Sequence, residues 1–136
     1  MLGRVVVLLA LSIGCGEHAT LPTAPSELVT GVVVYEHANF RGASAHITAD
    51  IPDLDHFDGP CYHSGGSDNA DYYDWNDCIS SVRVAPGWSA TLYRADDYRD
   101  DSITVTADVP NLATVAHDCS GGGLNDCVTS IRVQRR

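Results

Sequence analysis

Between residues 31 and 133, apolar side chains recur at every second position in short runs. Val32 and Val34, Ala45 and Ile47, and Val82 and Val84 form one set; Ala90 and Leu92, Ile103 and Val105, and Ile131 and Val133 form another. A period of two puts one face of a strand in a core and the other toward solvent. Gly, Pro, Asn and Asp cluster between the runs, as turns require. No stretch keeps a helical period, beyond a single turn expected near Leu54 or Leu112. The pattern predicts an all-β sandwich of short strands.

The two sets are copies of one another, and an internal repeat decides the architecture before anything else does. Thr48-Ala49-Asp50-Ile51-Pro52-Asp53-Leu54 matches Thr106-Ala107-Asp108-Val109-Pro110-Asn111-Leu112. Phe40-Arg41 matches Tyr98-Arg99, Ser44 matches Ser102 and Cys61 matches Cys119. Each copy ends on a matching hexapeptide, Asn76-Asp77-Cys78-Ile79-Ser80-Ser81 and Asn125-Asp126-Cys127-Val128-Thr129-Ser130, followed by Val82-Arg83-Val84 and Ile131-Arg132-Val133. Amide, carboxylate and hydroxyl oxygens are thus concentrated twice at matching places. Six to eight such oxygens, with backbone carbonyls and water, make a calcium shell. A single stretch of this kind would be an ordinary Asx turn; a matched pair suggests a pair of sites. The extra length of the first copy lies between Cys61 and Trp75.

Tyr35-Glu36-His37-Ala38-Asn39-Phe40-Arg41-Gly42 resembles the aromatic-x4-aromatic-x-Gly hairpin signature of the βγ-crystallin family. Tyr93 to Asp100 is similar, with Asp100 in place of the glycine, and Asn-Asp-x-x-Ser/Thr-Ser resembles the calcium signature of its microbial members. The resemblance covers about Gly31 to Val133 and implies two Greek-key motifs packed as one β-sandwich, related by a pseudo-twofold axis. The glycine position of the hairpin often needs positive φ, which Gly adopts freely and Asp tolerates. The second hairpin is therefore expected to fold over less sharply than the first.

The resemblance also implies two Ca2+ ions, each clamped between the copies. The implied side-chain ligands are Asp77, Ser80, Asp126 and Thr129, with Asn76 and Asn125 shaping the turns. The implied carbonyl ligands belong to Cys78, Cys127, Glu36 and Arg94. Arg94 stands where the first copy has Glu36, and a cation there should weaken its site. Mixed carbonyl and hydroxyl donors suit calcium better than the small strict octahedron of magnesium. Asp53 to Gly59 fails as an EF-hand loop, because its glycine comes one place late and no bidentate Glu follows.

Five cysteines are present. With Cys15 set aside, Cys61, Cys78, Cys119 and Cys127 allow three pairings. Their matched positions favour Cys61–Cys78 and Cys119–Cys127, one bridge per copy, each fixing the residue next to a calcium aspartate. The competing use of Cys61 is zinc, with His56 and His63, but the spacing is irregular and export favours disulfides.

Export is suggested by the N-terminus. Arg4 precedes an apolar run from Val5 to Ile13, too short to span a bilayer, and then Gly14-Cys15. A small residue before Cys resembles a bacterial lipoprotein cleavage site, with Ser12 where Leu is usual. Acylation of Cys15 and membrane attachment are expected, with ordinary secretion or an uncleaved N-terminus as the other outcomes. Residues 1–15 are thus read as the signal, 16–29 as a flexible tether, and 30–136 as the folded domain. Its copies run from about 31 to 85 and 87 to 134.

A formal net charge of −10, with every basic residue an Arg, argues against nucleic acid as a partner. The six His are scattered and no serine occupies a nucleophile elbow, so an enzyme is not expected. The expected function is that of an exported calcium-binding domain, stabilised by its ions, in a structural, stress or cell-surface role. The alternative is an interaction module, an adhesin, lectin-like domain or inhibitor, using the acidic and aromatic insertion at 62–75.

Overall fold

The computed structural model describes residues 30–65, 71–115, 119 and 123–136. The signal, Cys15 and the tether lie outside the described residues, as do positions 66–70 of the insertion. Among the described residues no helix is long and apolar enough to cross a membrane.

The alternating runs form strands where the pattern places them. In the first copy β1 (Val32–His37) pairs antiparallel with β2 (Arg41–Ile47), a largely exposed edge. β3 (Asp58–His63), which runs into the insertion, and β4 (Tyr72–Asp74), which lies within it, form a separate two-stranded hairpin, and β5 (Ser81–Val84) returns beside β1. In the second copy β6 (Trp88–Ala95) lies between β7 (Arg99–Val105) and β8 (Ser130–Arg135). The sheets β2-β1-β5 and β7-β6-β8 are therefore equivalent.

Each sheet is extended by the other copy. Val109 bridges to Val82, with N–H···O distances of 3.0 and 2.8 Å, and Ile51 bridges to Ile131 at 2.8 and 2.9 Å. Asp108 accepts the Val84 N–H and Asp50 the Val133 N–H, so the repeated Thr-Ala-Asp tripeptides clamp the exchanged segments. Leu54 and Leu112 start matching 3₁₀ turns, and both are wholly buried among Val34, Ile79, Leu92 and Val128. Exchange of segments makes the copies one body, since neither can complete its sheet alone.

The aromatic hairpins fold over identically. Asn39 and Phe40 have φ of 60° and 58°, and Asp97 and Tyr98 have φ of 52° and 59°. Two consecutive left-handed residues, one a bulky aromatic, need outside support. Asn39 N–H donates to Pro110 O and Asp97 N–H to Pro52 O; Phe40 N–H donates to Ser81 Oγ and Tyr98 N–H to Ser130 Oγ. Tyr35–Phe40 and Tyr93–Tyr98 both meet edge-on at 5.7 Å and 64°, and Arg83 and Arg132 cover Phe40 and Tyr98.

The expectation of a blunter second hairpin is thus corrected. Asp100 takes φ of 64° where Gly42 has 78°, with the same register shift in both pairs of strands. Neighbouring side chains explain the accommodation. A Cβ on Gly42 would lie 2.9 Å from the Glu36 carboxylate and from the His37 ring. The second copy carries Ala95 where the first has His37, and the space opens. What remains is the backbone cost of a left-handed Asp. Asp100→Gly should therefore raise stability by about 0.5–1 kcal/mol, measured by denaturant unfolding in chelator. An unchanged midpoint would show that no such cost is stored there.

Candidate metal centre

Both hexapeptide loops turn at their aspartate, with φ of 48° at Asp77 and 50° at Asp126, a region Asp tolerates. The loops are held to each other across the pseudo-twofold axis. Asp77 N–H donates to Val128 O at 3.2 Å and Asp126 N–H to Ile79 O at 3.3 Å. Each loop is also held to the opening strand of its own copy: Ser80 N–H donates to Tyr35 O and Thr129 N–H to Tyr93 O, both at 2.9 Å. These bonds set Ser80 beside Glu36, and Thr129 beside Arg94.

The result crosses the copies. Ser80 Oγ donates to Asp126 Oδ1 at 3.3 Å, so the hydroxyl of the first loop meets the carboxylate of the second. At the other clamp Thr129 Oγ1 donates to Arg94 O at 3.0 Å. Asp77, Arg94, Asn125, Asp126, Cys127 and Thr129 share the lining of one open cavity of about 380 Å³. Asn125 Nδ2 donates to Asp126 Oδ2 at 2.6 Å, orienting that carboxylate. Ile79 O and Val128 O are occupied as acceptors, whereas no hydrogen bond among the described residues uses Cys78 O or Cys127 O. Glu36 directs its carboxylate away from the clamp, accepting Ala43 N–H at 3.1 Å.

The electrostatics leave the apex short of positive charge. Desolvation pushes the Asp77 carboxyl above its ordinary value, and the charge of Asp55, then those of Asp126 and Asp74, add to it against a lowering by His63. Desolvation also raises Asp126, partly offset by the Ser80 and Asn125 hydrogen bonds. Arg94 forms no ion pair among the described residues.

Protons and a bound cation would compete for these carboxylates. Because both folded-state values are raised, protonation begins above the ordinary 3.8. Without metal, the same shift means that folding stability contributed by these groups grows as pH falls toward that value. The calcium-dependent rise in Tm should instead shrink as pH falls from 7 toward the carboxylate range. Paired melts in calcium and in chelator across that range check it; a constant rise would exclude both carboxylates as ligands.

The cysteines pair as Cys61–Cys78 and Cys119–Cys127, with Cα–Cα separations of 5.9 and 6.2 Å, inside the normal disulfide range. Cys61 is therefore closed to zinc, and His56 is engaged with Asp53 at 2.8 Å. Among the described residues no three His, Cys, Asp or Glu side chains converge. Sequence reading did not find the Ser81 and Ser130 hydroxyls as hairpin locks, donating to His37 O and Ala95 O. Their signal was present in the matched last position of each hexapeptide. The hairpin in the insertion, and the contact of His63 with Asp74, carried no periodic signal.

Comparison with known proteins agrees with this architecture. Residues 32–106, more than half of the chain, match the model of peptidase inhibitor family I36. A development-specific protein S homolog of Myxococcus xanthus is 43% identical over 58 residues, which is 43% of this chain and 28% of that protein. The chain thus spans well under half the length of the Myxococcus relatives it matches. Spherulin-3A of Physarum polycephalum is 28% identical over 104 residues, covering 75% of this chain and 80% of that one. A βγ-crystallin domain from Flavobacterium johnsoniae superposes with a TM-score of 0.55 at 28% identity, covering 77% of this chain and 94% of that one. With its two interlocked Greek keys, the chain has the βγ-crystallin fold and belongs to peptidase inhibitor family I36.

Proposed function

We propose that the two hexapeptide loops bind two Ca2+ ions, one per clamp, and that calcium stabilises the folded domain. The observation that carries this reading is the crossing of copies, with Ser80 Oγ held 3.3 Å from the Asp126 carboxylate. Each clamp would combine one carboxylate, one hydroxyl and two carbonyls: Asp126, Ser80, Glu36 and Cys78 at one, Asp77, Thr129, Arg94 and Cys127 at the other. Four protein oxygens plus water meet the calcium requirement, and an open, loop-built cavity suits its larger and more variable shell. The Arg94 guanidinium near the second clamp should make it the weaker. Thermal melts of the oxidised protein in calcium and in chelator test the reading; coincident curves would overturn it.

Calcium abundance outside the cell would let weak sites suffice, with modules of that kind working near 10⁻⁴–10⁻³ M. This fits the export and lipid attachment at Cys15 that we propose from the N-terminal sequence, which labelling with a fatty-acid analogue in wild type and Cys15→Ser checks.

A second reading, an interaction module, is favoured by one surface. Tyr62 and Tyr73 are the only large hydrophobic side chains among the described residues that stand mostly in solvent, at 54% and 58% exposure. They sit side by side on the β3–β4 hairpin with ring centroids 5.5 Å apart. The family's description makes a peptidase the first partner to assay. Tyr62→Ser with Tyr73→Ser should lose a partner while keeping the calcium response.

A further inference from the structure

The second ring of each aromatic hairpin is covered by a cation. The Arg83 guanidinium lies 4.5 Å from the Phe40 ring centroid, and that of Arg132 lies 4.2 Å from the Tyr98 centroid. Tyr62 and Tyr73 differ. They pair across β3 and β4 and stand mostly in solvent, and among the described residues no cation covers either ring.

The sequence around the hairpin accounts for this. From Gly42 to Val82 the chain has eight aspartates and no Arg, Lys or Glu. That stretch includes the whole hairpin and holds most of the formal net charge of −10. Asp58 opens β3 and Asp71 directly precedes β4, and both are exposed. Two stacked apolar faces thus sit in a field of carboxylates with no basic side chain nearby in sequence.

The rings rest on a fixed support. On the opposite face of the hairpin the His63 ring stacks on Tyr72 at 5.2 Å and 16° and meets the buried Asp74 carboxylate at 3.0 Å. The Cys61–Cys78 bridge ties β3 to the first hexapeptide loop. Gly59 lies so close to Asp74 that a Cβ there would sit 2.3 Å from its carbonyl oxygen. Tyrosines on a rigid backbone offer contact area at small entropic cost.

We propose that Tyr62 and Tyr73, flanked by Asp58 and Asp71, form a docking surface for an arginine-bearing basic segment of a partner protein. A guanidinium stacks on an aromatic face and makes paired hydrogen bonds to a carboxylate, which an ammonium does not. The fold makes the first of these contacts twice within itself, at Phe40 and Tyr98. Charge selects the occupant, since so acidic a surface repels a second copy and attracts a basic segment. This occupant presupposes the interaction-module reading and gives its partner a chemistry.

Fluorescence anisotropy with labelled peptides tests it, on oxidised protein in excess calcium at about 0.15 M salt, where diffuse attraction is largely screened. An arginine-rich peptide should bind, its lysine counterpart more weakly, and its glutamate counterpart not at all. Tyr62→Ser with Tyr73→Ser should weaken the arginine peptide on the order of tenfold, whereas Tyr62→Phe with Tyr73→Phe should keep it. Asp71→Asn should weaken it about two- to fivefold. Both rings are exposed, so an unchanged Tm should show that the variants fold. Equal affinity for arginine and lysine peptides, unmoved by the serine variant, would overturn the surface and leave only diffuse attraction. So would preference for a neutral oligosaccharide, or a dimer in sedimentation that the serine variant dissolves. If a peptidase binds wild type but not the serine variant, and the arginine peptide is ignored, the interaction reading stands and the cationic occupant falls. If no partner distinguishes the two proteins, both fall.

Discussion

Replacing Asp77 and Asp126 together by alanine should abolish the calcium-dependent rise in Tm. A ligand that binds only the folded state contributes about 2.7 kcal/mol per site at a hundredfold excess over Kd, so two sites contribute about 5 kcal/mol. For a domain near 100 residues each kcal/mol shifts Tm by about 4–8 °C, and the wild-type rise should be about 20 °C or more. In chelator the double variant should melt below wild type, because alanine tolerates the left-handed φ of 48° and 50° at these positions less well than aspartate, so the calcium response is read for each protein as the difference between its own two melts. The single variants should divide by copy. Asp126→Ala empties the clamp that holds Ser80, and Asp77→Ala the clamp that holds Thr129. Calorimetric titration with calcium reads both stoichiometry and affinity; a double variant that keeps two equivalents would place the ions elsewhere.

Reducing both disulfides should destabilise the protein by a comparable amount. The bridges close loops with sequence separations of 17 and 8. Loop-closure entropy then gives about 3 and about 2.5 kcal/mol respectively. A stability of 5–15 kcal/mol is usual for a whole domain, so the reduced apo protein should be largely unfolded or close to it. Calcium should rescue it in part, since linkage adds to whatever folded state remains. A second effect separates the bridges from simple staples. Cys78 and Cys127 follow the clamp aspartates directly, so opening a bridge should free a proposed carbonyl ligand as well as a loop. Cys119→Ser with Cys127→Ser should therefore lower calcium affinity at the Asp77–Thr129 clamp more than at the other. Equal affinities in oxidised and bridge-free protein would confine the disulfides to a structural role.

Much of the fold was legible because a period of two and a duplicated pattern are local properties of a chain. Val32 and Val34, or Ala90 and Leu92, need no partner to show which face they bury. The repeat also favoured the observed cysteine pairing, one bridge inside each copy, over the two others that four cysteines allow. Asp100 shows where this stops. Its φ could be anticipated from the missing glycine, but its tolerance depends on Ala95 leaving space that His37 fills in the first copy. That compensation lies across a hairpin and changes no periodicity. The insertion is a second case. Its composition suggested a loop, and its pairing as β3–β4 follows from a bridge, a bulge and a close backbone approach at Gly59, none of which alternation reveals.

By itself the sequence determined the class of fold, the number of repeats, and which oxygen donors occur at matching places. Those follow from spacing along the chain. Tertiary structure alone decided that a carboxylate of one copy faces a hydroxyl of the other, and that His63 comes to Asp74 over a hairpin. Such pairings depend on the exchange of single-bridge segments between sheets and on the closing of a disulfide loop. Contacts between residues 11 or 46 positions apart are set by packing in three dimensions, on which local preference has no hold.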